Sequence, residues 1–193
     1  MVRWFVVRES QMIIPPIDKP GVFMRLVYRI ARHQYGKVLM PLRVIYSRSP
    51  ALLMVGLVIE WIRGHALRLE PELVSLLAVR VAVHHGCDFC ADLGQALAIQ
   101  RGLGSDRFNE LHRWRDSGAF TSRERAALAW VDDILENGGI HDATLAEAAA
   151  LFSERELVEL TWVQASETYF NVQAHPLGIP SDGLAAIARR ASR

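Results

Sequence analysis

One segment, residues 70–85 with the sequence EPELVSLLAVRVAVHH, restricts the fold more than any other part of the chain. From Leu73 onward, leucine, valine and alanine cover almost the whole circumference of a helix, and the exceptions are Ser75, Arg80 and two terminal histidines. A helix that is apolar nearly all round has to be buried on most sides. We therefore expect this helix inside a bundle or in a subunit interface.

Start and stop signals divide the flanking sequence into further helices. Ser49 and Pro50 are typical of a helix start, because proline at the first helical position forgoes no hydrogen bond, and Gly64 is the predicted end of that helix. A capping box begins two other helices, formed by Thr121 with Glu124 and by Ser153 with Glu156.

Shorter helical patterns occupy much of the remaining chain, and no alternating run bounded by hairpin turns appears. They cover residues 21–35, 105–117, 142–152 and 182–192. The sequence predicts an all-α helical bundle. A length of 193 residues suits one domain, so we predict an extended N-terminal arm over residues 1–19 and a single domain over residues 20–193.

Composition and charge exclude several classes of protein. The 22 basic and 21 acidic residues are nearly balanced, so there is no electrostatic reason for a nucleic-acid or membrane partner. The longest apolar run, from Pro50 to Ile59, is well short of the roughly 20 residues of a spanning helix. An early apolar run is broken by Arg8 and Glu9, unlike a signal peptide. We expect a cytoplasmic protein.

The chain's two cysteines, Cys87 and Cys90, follow the apolar helix in HHGCDFC. Gly86 predicts the end of that helix, which places both cysteines in the first turn of a second helix running to Gly102. Residues at i and i+3 share a helix face, close enough for a disulfide after modest adjustment. The positive end of a helix dipole lowers the pKa of a thiol, and by this argument Cys87 is the more exposed and more reactive thiol. The spacing favours a redox pair.

Two other interpretations of the cysteines stay open. Together with His84 or His85 they could bind zinc, but a closed zinc site needs further ligands, and the sequence contains no second cluster. Free cysteines are also common as buried apolar residues without chemistry. We expect neither a metal nor an organic cofactor.

The segment LEPELVSLLAVRVAVHHGCDFCADLGQAL resembles the core of the carboxymuconolactone decarboxylase and alkyl hydroperoxidase D-like superfamily. The resemblance extends to YGKVLMPLRVIYSRSPALL before it and to FTSRERAALAWVDDIL and FSERELVELTWVQASETYFNVQAHPLGIP after it, about residues 35–180 in all. It implies an all-helical bundle that assembles into homo-oligomers, as dimers, trimers or hexamers.

In the peroxidase branch of this family, a thiol pair reduces a hydroperoxide with the help of a proton relay. The resemblance implies that Cys90 attacks and Cys87 resolves, with a small hydroperoxide or disulfide as substrate and a thiol reductant as partner. The histidine position of the relay falls on Gly94 and its glutamate position on Ser75, so the relay is absent. This loss predicts weak peroxidase activity.

Two nearby residues are candidates to replace the relay. His84 lies three residues before Cys87 and could take its proton, although a histidine at a helix end is also explained by capping. Glu72 lies one turn before Ser75, about 4.5 Å along the helix axis, although the helix dipole also explains an acid there. The candidate catalytic residues are therefore Cys87, Cys90, His84 and Glu72.

Two predictions remain, the partner of Arg80 and the activity that the motif favours. Arg80 lies in an apolar helix and requires a partner, for which Glu167 and Glu124 are the candidates. Decarboxylases of the family generally lack the thiol pair, so the CDFC motif argues against that activity. A non-catalytic oligomeric binding protein is a further alternative.

Overall fold

The computed structural model describes residues 12–102 and 106–191, and this part of the chain is helical without any β-strand. The predicted all-α class is confirmed. The α-helices found in the described residues are α1 (Val22–Tyr35), α2 (Pro50–His65), α3 (Pro71–His84), α4 (Asp88–Gln100), α5 (Asp106–Asn109), α6 (Ser122–Asn137), α7 (Asp142–Leu151), α8 (Glu154–Ala174) and α9 (Leu184–Ala191). A π-helical turn spans Leu42–Tyr46, and 3₁₀ turns span Leu111–Arg113 and His175–Leu177.

Helix α3 is the centre of the bundle. It packs against α4, α6 and α8, and every residue from Leu73 to Val79 is buried. Burying one such apolar side chain contributes roughly 1.5–3 kcal/mol. Of the two predicted locations for this apolar helix, the interior of the bundle is the one observed.

Arg80 is the charged exception on α3, and the expectation that it pairs with Glu167 or Glu124 is wrong. Its Nε lies 2.6 Å from Oδ1 of Asp132 on α6, and this carboxylate is fully buried. The Trp114 indole N–H donates to the other carboxylate oxygen at 2.9 Å. Asp132 meets Arg80 because α3 packs directly against α6, whereas the two glutamates bind other arginines.

The predicted helix starts are confirmed. Pro50 is the first residue of α2. At the start of α6, Thr121 and Glu124 exchange hydrogen bonds in a complete capping box, and Ser153 and Glu156 do the same at the start of α8. These boxes satisfy amide groups that would otherwise lack partners at a helix N-terminus.

Glu156 makes the α8 start dependent on pH. Hydrogen bonds from Ser153, together with Arg123, lower the pKa of Glu156 to about 2. A carboxylate with a lowered pKa stabilises the fold above the pKa of the unfolded chain, and this stabilisation is lost as the pH falls towards 2. We expect Glu156→Ala to lower the free energy of unfolding by about 1 kcal/mol at pH 7 and by much less near pH 2.

Urea denaturation at the two pH values measures this effect. Glu154→Ala is the matched control, since Glu154 occupies the same first turn without a role in the capping box. An equal loss of stability in both variants would contradict the prediction.

The predicted end of α2 at Gly64 is wrong. The helix continues through Gly64 to His65, and the Ala66 N–H donates to the Ile62 carbonyl at 2.9 Å. Glycine inside a helix costs only about 1 kcal/mol relative to alanine, which is too little to end a helix whose backbone hydrogen bonds are otherwise formed.

The predicted helix over residues 105–117 is also wrong as a single element. Residue 105 lies outside the described part, and the remainder forms the short α5, the 3₁₀ turn at Leu111–Arg113 and irregular chain. The buried residues Phe108, Leu111 and Trp114 recur every three positions. This is the period of a 3₁₀ helix rather than of an α-helix.

Only part of the predicted N-terminal arm can be compared with the structure, because residues 1–11 lie outside the described part. Residues 12–19 have no regular secondary structure. Their backbone is attached to the bundle, since the Ile13 N–H donates to the Leu177 carbonyl at 3.2 Å and the Ile17 N–H to the Arg43 carbonyl at 3.0 Å. Residue 192, the last of the predicted C-terminal helix, is likewise not described.

None of the described helices combines the length and apolarity required to cross a bilayer.

Candidate functional site

The cysteine pair lies at the junction between α3 and α4. Gly86 has a φ of +66° and turns the chain between the two helices. Cys87 is the N-cap of α4, and its sulfur accepts the backbone N–H of Cys90 at 3.3 Å. The two residues are joined as a disulfide with a Cα–Cα distance of 5.3 Å. The predicted juxtaposition is thus observed, with Cys87 one residue before the first turn rather than inside it.

The expectation that Cys87 is the more exposed thiol is wrong. Cys87 is 2% exposed and Cys90 is 7% exposed, because the Cys87 side chain folds back over the first turn as a cap. Cys90 also lines a cavity, whose described lining does not include Cys87. The structure therefore offers Cys90 as the thiol that a small molecule can reach.

This cavity has a volume of about 490 Å³ and lies between α1, α2, α3, α4 and α8. Apolar side chains make up most of its wall, among them Leu53, Val74, Leu93 and Phe170. An apolar cavity of this size with a few polar groups is typical of a small-molecule site.

A buried ion pair forms one polar part of the wall. Arg63 of α2 lies 2.8 Å from the carboxylate of Glu167 on α8 and 3.2 Å from that of Glu60. Burial raises the pKa of Glu167, although Arg63 opposes the shift. A carboxyl group with a raised pKa can hold a proton nearer neutral pH, and this one faces the same cavity as Cys90.

From the sequence, Glu167 is predicted only as a candidate partner for Arg80. Its position carried a usable signal, since it follows Leu160 and Val163 at helical spacing on the buried face of α8. An acid on an apolar helix face is a candidate for a functional group.

His84 and Glu72, the two candidates for a replacement relay, lie outside the described cavity lining. Both are exposed, at the end and in the first turn of α3. The His84 ring packs edge to face on His85 at 5.5 Å, and His85 Nε2 lies 3.1 Å from the Thr168 hydroxyl. Burial and the neighbouring His84 and His175 lower the pKa of His85. The catalytic roles of His84 and Glu72 remain predictions.

A zinc site is one of the two other interpretations of the cysteines. Within residues 12–102 and 106–191, no group of three or more His, Cys, Asp or Glu side chains is placed to hold a metal ion. The two cysteines are joined to each other rather than arranged around a common point.

Gly94, at the position of the relay histidine, lines the cavity four residues after Cys90. A Cβ atom at this position would lie 2.9 Å from Cγ2 of the buried Val79, which is closer than side chains tolerate. Val79 therefore occupies the space that a side chain at position 94 would enter, although Gly94 itself lines the cavity.

We expect Gly94→Ala to destabilise the protein by about 1–3 kcal/mol through this overpacking. Gly64→Ala is the matched control, because Gly64 is also helical and lines the same cavity, but a Cβ there meets nothing within 4 Å. We expect that variant to be stabilised by up to about 1 kcal/mol. Urea denaturation compares the two, and a Gly94→Ala protein as stable as Gly64→Ala would contradict the packing argument. A histidine at position 94 consequently requires a smaller residue at position 79, as in the double variant V79A/G94H.

The fold and the site together define a class, an all-helical protein whose Cys-x-x-Cys pair fits a redox role. Residues 61–133 match the family model of the carboxymuconolactone decarboxylase family. The uncharacterized protein YnjA of Escherichia coli is 30% identical over an alignment of 184 residues, and the match covers 93% of this chain and 99% of YnjA. The chain belongs to the carboxymuconolactone decarboxylase and alkyl hydroperoxidase D-like superfamily.

Solved structures agree with this assignment. ATU0492 of Agrobacterium tumefaciens, a protein of unknown function for which an AhpD role in antioxidant defence is suggested, superposes with a TM-score of 0.67 at 27% identity. The match covers 72% of this chain and 97% of that one. The debrominase Bmp8, solved as a C82A variant with 2,3,4-tribromopyrrole, has a TM-score of 0.76 over 96% of this chain and 100% of its own. At 14% identity this second likeness concerns the fold alone.

Proposed function

We propose that this protein is a thiol-dependent reductase of organic hydroperoxides that uses Cys90 and Cys87. The observation that supports the proposal is the position of Cys90, within disulfide reach of Cys87 and in the wall of an apolar cavity. A thiol buried without access would fill space, whereas this one faces a volume that can hold an organic molecule.

The proposed reaction consumes one hydroperoxide and two thiols. The Cys90 thiolate, stabilised at the first turn of α4, attacks the terminal peroxide oxygen, and the O–O bond breaks to give a cysteine sulfenic acid and an alkoxide. The alkoxide takes a proton and leaves as the alcohol. Glu167 is the proposed source of this proton, since it lines the same cavity and burial raises its pKa.

Resolution of the sulfenic acid closes the oxidative half of the cycle. The Cys87 thiol attacks the Cys90 sulfur, the S–O bond breaks, and hydroxide leaves as water with the thiol proton. The products are one alcohol, one water and the Cys87–Cys90 disulfide. An external dithiol then reduces the disulfide by exchange through a mixed disulfide.

The test measures the loss of both thiols and the formation of the alcohol. Reduced protein, freed of reductant under anaerobic conditions, is mixed with cumene hydroperoxide. We expect two thiols to disappear per chain and one alcohol to form. Protein unfolded in urea is the control that shows whether the fold accelerates the reaction. Thiols that persist in the folded chain would contradict the proposal.

Plain disulfide exchange is the second candidate, because it requires less proton transfer than peroxide cleavage and the relay residues of the peroxidase branch are replaced by Ser75 and Gly94. Reduced protein that is oxidised by a small disulfide but not by the hydroperoxide would favour this candidate.

A homo-oligomer remains part of the proposal. Helices α1 and α2 each carry several large apolar side chains that are exposed in the single chain, and such faces are typical of interfaces. They are Phe23, Leu26 and Ile30 on α1 and Met54, Val58 and Trp61 on α2. Light scattering of the purified protein measures the assembled mass.

A further inference from the structure

Two cationic side chains line the cavity, and they differ in their partners. Arg63 contacts the carboxylates of both Glu60 and Glu167. Arg101, directly after α4, donates from Nη1 to the Ser75 hydroxyl at 3.1 Å, and within the described residues it forms no ion pair with a carboxylate. One end of the cavity wall therefore carries a guanidinium group whose charge no described side chain neutralises.

The position of this guanidinium relative to Cys90 follows from the pairing of α3 and α4. The helices run antiparallel, with Gly94 against Val79 and Arg101 reaching Ser75, one turn earlier on α3. By this register Ser75 lies opposite residue 98. Cys90 and the Arg101 guanidinium are thus separated by about eight residues of helix, or about 12 Å along the axis.

The wall between these two groups is apolar. Leu93 and Leu97 of α4 line the cavity there, and Ala78 of α3 does so from the other side. A ligand that reached both ends would need a charged group at one end and an uncharged, apolar body along the helix.

Building on the proposed function, we propose that the substrate is an amphipathic monocarboxylate, with its carboxylate on Arg101 and its apolar chain along α4, so that its hydroperoxide group reaches Cys90. A guanidinium binds a carboxylate through two parallel N–H donors. An extended chain advances about 1.2 Å per bond, so about ten bonds separate the carboxylate from the reacting oxygen.

The other charges of the cavity favour a single anionic group. Glu60 and Glu167 also line the cavity, beside Arg63, and these two acids disfavour a second carboxylate on the ligand. A dianionic phosphate is disfavoured for a similar reason, because its two negative charges would face only one guanidinium, that of Arg101.

Binding of unreactive probes tests the proposal without the redox step. Decanoate and 1-decanol are titrated calorimetrically into the oxidised full-length chain and into Arg101→Gln. We expect decanoate to bind the wild type more tightly than decanol does. Arg101→Gln should weaken decanoate about tenfold or more and leave decanol unchanged, which also shows that the cavity is intact. Arg68→Gln is the control, because Arg68 is exposed, as Arg101 is, but lies outside the described lining.

The outcomes separate this inference from the proposed function. Equal binding of decanoate by wild type and Arg101→Gln, or equal affinity of the wild type for decanoate and decanol, would overturn the inference even if cumene hydroperoxide oxidises the thiols. Conversely, decanoate binding that depends on Arg101 would support the carboxylate site even if hydroperoxides did not oxidise the thiols. That second result would contradict the proposed reaction.

Discussion

Replacing Cys90 with serine is expected to reduce hydroperoxide turnover to the uncatalysed rate. Cys90 is the cysteine that lines the cavity, and a serine hydroxyl at this position cannot form the sulfenic acid through which the peroxide oxygen is removed. Steady-state reduction of cumene hydroperoxide with dithiothreitol as reductant measures the loss. Serine is close to cysteine in size, so the variant should remain folded.

Cys87→Ser is the matched variant, because it removes the other sulfur of the same disulfide. In the absence of reductant its Cys90 thiol should still react once, giving one alcohol per chain and a sulfenic acid that a dimedone reagent traps. The roles are reversed if Cys90→Ser is the variant that forms the trapped sulfenic acid. Hydroperoxide reduction by Cys90→Ser at the wild-type rate would exclude Cys90 as the attacking thiol.

Replacing Asp132 with alanine is expected to lower the free energy of unfolding by about 3–5 kcal/mol, the usual cost of removing one partner of a buried ion pair. Asp132 is fully buried, lies 2.6 Å from Arg80 and 3.2 Å from Arg115, and accepts the Trp114 indole N–H. Its removal leaves the mostly buried Arg80 charge in the bundle without this carboxylate.

Chemical denaturation followed by circular dichroism measures the loss. Glu110→Ala is the matched control, since Glu110 also binds an arginine, Arg113, but at the protein surface. Exposed pairs contribute little to stability, so the control should unfold almost as the wild type does. If Asp132→Ala were as stable as Glu110→Ala, the buried pair would not hold α3 against α6.

The helical class and the helix starts could be predicted because their causes are local in sequence. Pro50 and the capping box of Ser153 with Glu156 act within one helical turn. The segment between α4 and α6 could not be predicted in this way. There the burial of Phe108, Leu111 and Trp114 in the core selects a tighter turn than helix propensity indicates.

The candidate site was likewise predictable only where the cause is local in sequence. The Cys-x-x-Cys pair and its place at a helix start were visible in the sequence, because three residues of spacing determine whether two thiols can meet. The greater exposure of Cys90 could not be predicted from the sequence. It depends on the Cys87 side chain, which folds back as a cap, and on a cavity formed by five helices.

The sequence by itself therefore determined an all-α chain, a central helix with a buried middle and a close pair of thiols, all through periodicity and short-range hydrogen bonding. The tertiary structure alone decided that Arg80 meets Asp132, that Glu167 faces the cavity of Cys90, and that Arg101 lies at the other end of α4. These contacts join residues from different helices, and the packing of whole helices sets their distances.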